Sequence, residues 1–183
     1  DRKHMYPWVL EARAQAAPGA SVALVIARHP LSWVTGMRKA PYFLTCGSRA
    51  PDSPCWLRLV WRHGPGKQAK REHLDIKYGG VVDVWNAYYG GYLAWSRTRY
   101  ALIRYEDLLL DSDRTLRALF PGAHHAQQKR AAKKHGHARS FADARAYNLG
   151  KRWRAEKFTE PEVAGHCARA NATVLANLGY TCP

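Results

Sequence analysis

The 183-residue chain carries 29 Lys+Arg against 14 Asp+Glu, a formal net charge of +15. Its length supports a packed core in one domain over 1–183, and 46% hydrophobic residues exclude wholesale disorder. The positive surplus directs attention to anionic partners, and the longest apolar run is too short for a membrane span.

Residues 3–10, KHMYPWVL, read as a short strand entering a turn, and 11–17 as a helix stopped by Pro18-Gly19. The apolar run 21–27 reads as a strand that delivers Arg28 to a His-Pro step, with a helix-like segment over 31–38. A strand that hands an arginine to a helix N-terminus builds an anion site. The guanidinium fork, open backbone N–H groups and the helix dipole all favour negative charge there. Residues 40–79 are rich in Pro, Gly and charge, with an apolar island over 56–61, and read as a loop excursion across the domain. Within it, Gly64-Pro65-Gly66-Lys67 lacks the strand-to-helix context of a phosphate loop and reads as an exposed turn.

Residues 80–97 place Val81, Val84, Trp85, Tyr88, Tyr92 and Trp95 at helical spacing, with Gly90-Gly91 expected to weaken or kink the helix. A second β-type run, RYALIR at 99–104, leads into a helix capped by Asp111 or Ser112 and ended by Pro121. Residues 122–157 hold ten Lys+Arg against two acids, with His124, His125, His135 and His137 among them. Cations repel a metal ion, so those histidines do not read as a metal site. Thr159-Glu160-Pro161-Glu162 is a capping box, and the helix it opens is expected to bury Val163, Cys167, Ala170, Val174 and Leu178 before ending at Gly179. Strands that alternate with helices predict an α/β fold with a mainly parallel sheet.

Cys46 and Cys55 bracket a turn-rich loop, and Cys167 and Cys182 bracket the last helix and tail. Two local disulfides suit an oxidising compartment, and four reduced cysteines suit a chain of this length equally. No Cys-x-x-Cys spacing points to zinc. Asn171-Ala172-Thr173 is a glycosylation sequon that falls on the expected last helix.

Four segments in this order resemble the PAPS-dependent sulfotransferase family: Lys3-His4 with Pro7; ALVIARHPLSWVTGM; LIRYEDLLLDSDRTLRALF; and GKRWRAEKFTEPEV with the helix ending LGY. The resemblance implies a three-layer α/β/α domain of P-loop NTPase-like architecture. The family's phosphate-cradling loop, a strand followed by Pro-Lys-Ser-Gly-Thr, would precede Lys3, so the chain is expected to be the C-terminal portion of a longer product. The family serine eight residues beyond the arginine is Gly36 here.

The activity implied is sulfuryl transfer from PAPS to a hydroxyl or amine of a glycan or small molecule, without a metal. The strong positive charge tilts the acceptor toward an anionic glycan. His4 is the candidate base for the acceptor proton, and Lys3 the candidate contact to the sulfuryl group. Arg28 would clamp the 3′-phosphate, with Ser32 or Thr35 adding a hydroxyl, and Lys151, Arg152 and Arg154 around Trp153 folding over it. Arg104, Glu106 and Asp107 read as a structural brace and helix start, and Trp85 and Tyr88 as core. The compartment leans to the Golgi lumen or secretory pathway.

Two other readings stand beside this one. A non-catalytic descendant of the fold would bind without transferring. A basic module would bind nucleic acid or another polyanion through 122–157, without sequence preference, since no helix-turn-helix, RNP or zinc-finger signature is present.

Overall fold

The β-branched and leucine-rich run ALVIA forms strand β1 (Ala23–Ala27), and YALIR forms β5 (Tyr100–Arg104). They pair in parallel and in register, Ala23 opposite Tyr100 through Ala27 opposite Arg104. The computed structural model describes residues 23–41, 43–63, 70–94, 100–121 and 141–182, and these hold five strands and eight helices in a mixed α/β arrangement. The expected strand over 3–10, the helix over 11–17, the Gly64–Lys67 turn, Trp95 and the basic stretch 122–140 lie outside the described residues.

The chain divides into two compact units, one made of residues up to Arg28 and 95–157, the other of His29–Ala94 and Phe158–Pro183. The first holds the parallel pair and helices α3 (Tyr105–Leu110), α4 (Ser112–Leu119), α5 (Phe141–Leu149) and α6 (Arg152–Lys157). Helix α3 packs on α5. Asp111 closes α3 and caps α4 by accepting the Arg114 N–H at 3.0 Å, which decides between the two caps, Asp111 and Ser112, that the sequence offered. In β1, Val25 and Ala27 are buried while Leu24 and Ile26 are 44% and 43% exposed, so this apolar strand has one covered face.

The second unit is built around α1 (Pro30–Lys39), α2 (Val81–Leu93), α7 (Glu160–Arg169) and α8 (Ala172–Asn177). Helix α1 packs on α2 and α7, and α2 on α8. Leu31, Val34, Val82, Trp85, Tyr92, Val163 and Leu178 form the core between them. Each such side chain contributes about 1.5–3 kcal/mol on burial. Helix α2 runs unbroken through Gly90-Gly91, and Gly90 lies against α8, where a Cβ would meet Val174 Cγ2 at 3.4 Å.

Two elements depart from expectation. The 40–79 excursion is a three-stranded antiparallel sheet, β2 (Leu44–Cys46), β3 (Cys55–His63) and β4 (Lys70–Tyr78), in that order. The period-2 signal was present: His73, Asp75 and Lys77 alternate with Leu74, Ile76 and Tyr78. Arg58 and Asp75, opposite in register, make a two-point ion pair at 2.8 and 3.0 Å on its outer face. The expected last helix is two helices, broken at Ala170-Asn171, with Asn171 capping the second. Val163, Val174 and Leu178 are buried as predicted, whereas Cys167 and Ala170 are only partly covered. The cysteines pair locally, Cys46 with Cys55 and Cys167 with Cys182.

Candidate functional site

Parallel, in-register pairing brings the carboxyl ends of β1 and β5 to one edge, where Arg28 and Arg104-Tyr105 emerge. The outer crevice at strand carboxyl ends is where open α/β sheets take ligands. The Arg28 guanidinium lies 3.8 Å over the Tyr105 ring centre. Such a stack uses the face of the guanidinium, and its N–H donors lie in the plane. Arg104 instead grips Asp107 at two points, 2.9 and 2.6 Å, across the first turn of α3. This is the brace the sequence suggested for the Tyr-Glu-Asp-Leu segment.

The turn into α1 is capped by its own His29. Pro30 at its first position has no N–H, and the Leu31 N–H donates to His29 Nδ1 at 3.3 Å. The other ring nitrogen, Nε2, donates to the Thr181 carbonyl at 3.1 Å, since a carbonyl only accepts. The Trp33 N–H already bonds the His29 carbonyl at 2.9 Å. The expectation of open N–H groups at this helix start is corrected for its first two positions: Pro30 has no N–H, and His29, to which the sequence assigned no role, takes that of Leu31. Ser32 is 5% exposed, and Thr35 spends its hydroxyl proton on the Leu31 carbonyl at 3.0 Å. Thr35 keeps only lone pairs for any ligand.

In the other unit, Gly150 and Lys151 end α5. A Cβ on Gly150 would lie 2.7 Å from the Ala146 carbonyl oxygen, and Lys151 adopts a left-handed φ of 49°. Lys151 and Arg152 are exposed, and Arg152 pairs with Glu156 one turn on at 3.1 Å. Trp153 is 3% exposed, so it anchors the turn from inside while Arg154 is half-buried. Lys3 and His4 lie outside the described residues.

A second polar cluster was not foreseen. Arg38, in the last turn of α1, donates to the Arg49 carbonyl at 2.6 Å, to Glu162 at 3.4 Å and to His166 Nε2 at 3.2 Å, and lies over the Phe158 ring. His166 is fully buried, and burial first, then the Arg38 charge, depresses its pKa to about 4. The backbone N–H of Thr159, the main cause, holds Glu162 below the usual carboxylate range. The signal was within reach: His166 sits three residues after Val163 on the predicted apolar stripe. This ring packs inside the core of its unit.

Among the described residues no three His, Cys, Asp or Glu side chains gather as a metal ion would need, and no helix is long and apolar enough to cross a membrane. Comparison with protein-family models, with curated proteins and with solved structures finds no match for this chain.

Proposed function

We propose that this chain belongs to a PAPS-dependent sulfotransferase that moves a sulfuryl group from PAPS to a hydroxyl or amine of a glycan or small molecule. The observation that carries the reading is the parallel register of β1 and β5, which puts Arg28 and the Arg-Tyr-Glu-Asp-Leu segment at the same strand edge. A P-loop-type, three-layer domain is the architecture in which that edge would receive a nucleotide.

In this reading Arg28 holds the 3′-phosphate with its fork, steadied by the Tyr105 ring beneath it. Lys151, Arg152 and Arg154 supply further positive charge. His4 takes the acceptor proton and Lys3 compensates charge on the sulfuryl group. The net charge of +15 favours an anionic acceptor such as an acidic glycan.

The His29 cap on the N-terminus of α1 favours a second reading, a sulfotransferase-fold protein that binds without catalysis. Thermal unfolding with the desulfated cofactor PAP tests the site, because a ligand bound only by the native state raises the melting temperature. The expected result is an upward shift with PAP that Arg28→Ala abolishes and that inorganic polyphosphate does not reproduce. Transfer of radiolabelled sulfate from PAPS to a glycan panel then separates the two readings. No shift at saturating PAP overturns both.

A further inference from the structure

Asn171-Ala172-Thr173 is the chain's one Asn-x-Ser/Thr sequence, and the fold moves it out of a helix interior. It lies where α7 breaks and α8 begins, and all three residues are exposed. The Asn171 side-chain carbonyl accepts the Thr173 and Val174 backbone N–H groups at 2.9 and 3.1 Å. Its backbone N–H donates to Asn86 Oδ1 at 2.9 Å. These bonds use the main chain and Oδ1, and Nδ2 has no hydrogen-bond partner among the described residues.

We propose that Asn171 is an N-glycan acceptor, in a chain that matures in an oxidising secretory lumen. In the transfer, Nδ2 bonds to the anomeric carbon of a lipid-pyrophosphate-linked oligosaccharide. The C–O bond to pyrophosphate breaks, the lipid pyrophosphate leaves, and the Nδ2 proton passes to a base on the host transferase. The product is still an amide whose carbonyl accepts hydrogen bonds, so the cap of α8 survives the modification. A bulky, solubilising group needs a surface turn, which this break provides. The two disulfides point to the same compartment: Cys167–Cys182 encloses the sequon in sequence and Cys46–Cys55 closes a second loop. None of this rests on the sulfotransferase reading.

The full chain, expressed behind a cleavable secretory signal in eukaryotic cells, is examined by gel mobility before and after peptide N-glycosidase and by peptide mass spectrometry. Most molecules are expected to carry one glycan at Asn171. Asn171→Asp, whose carboxylate still caps α8, and Thr173→Ala are expected to lose it, and Thr173→Ser to keep it. A secreted, disulfide-bonded chain with Asn171 unmodified in most molecules overturns the proposal, as does a glycosidase-sensitive shift that persists in Thr173→Ala.

Discussion

Arginine carries only donors, so its contact at 3.2 Å makes His166 Nε2 an acceptor and places the imidazole proton on Nδ1. Nδ1 is buried without a hydrogen-bond partner among the described residues. A second proton would go to Nε2, facing the Arg38 guanidinium inside the core. Burial and the charges of Arg38 and Arg169 oppose it, and Glu162 compensates in part. The folded pKa of about 4 lies below the ordinary 6.5, so between those values the unfolded chain holds more protons. Stability present above about pH 6.5 is thus lost as pH falls, levelling near the folded value, and the gap corresponds to about 3 kcal/mol. Glu162, with its pKa also lowered by folding, adds acid sensitivity below the ordinary carboxylate range. His166→Gln keeps an acceptor for Arg38 and removes the titration. The melting temperature of the wild-type protein is expected to fall steeply over this interval and that of the variant to fall much less, with the difference in slope greatest between pH 6.5 and about 5. Parallel curves would assign the acid sensitivity elsewhere.

Two glycines in one half of the chain separate backbone freedom from packing. Gly80 opens α2, and a Cβ there would fall inside contact distance of the Pro51 carbonyl oxygen and lie 2.9 Å from Arg169 Nε. Arg169 is itself held by Asp83. Gly80→Ala is expected to destabilise by about 1–3 kcal/mol, as overpacking against backbone does. Gly90→Ala meets only Val174 at ordinary van der Waals distance and gains helix propensity, so it is expected to be neutral or stabilising by up to about 1 kcal/mol. Chemical denaturation of both variants checks the pair, and equal losses would contradict the contact geometry. The same contrast explains what the sequence disclosed. Strands β1 and β5, the Asp111 cap and the Thr159 capping box were legible because their determinants lie within a few residues. The break at Ala170-Asn171 was not, because Asn86, some eighty residues earlier, accepts the Asn171 N–H and donates to the Arg169 carbonyl at 2.8 Å. For the candidate site, the strand edge at Arg28 was legible. The capping of the α1 start was not, because it depends on His29 reaching the carbonyl of Thr181 near the other end of the chain.

At the scale of the whole molecule, both disulfides belong to one of the two compact units. Cys46–Cys55 joins residues already opposite each other in the β2–β3 ladder. Cys167–Cys182 is different, because the tail it fixes has no ladder of its own. That tail carries Tyr180, which is buried and meets the His29 ring edge-on, and the Thr181 carbonyl that His29 bonds. Closing a loop of 15 residues is worth about 3 kcal/mol through the unfolded state. The Cys167→Ala, Cys182→Ala double variant is therefore expected to lose about that much stability, while Cys46→Ala, Cys55→Ala loses somewhat less from its shorter loop. The discriminating measurement is residue-resolved hydrogen exchange. Without Cys167–Cys182 the tail frays, His29 loses the acceptor for Nε2, and the first-turn amides of α1 exchange faster. Without Cys46–Cys55 those amides are expected to keep their protection, because the His29 Nε2 bond that anchors the α1 start runs to the tail. Equal protection of the α1 start in both variants would mean that the tail holds its place without the disulfide, through the burial of Tyr180 and Leu178 alone.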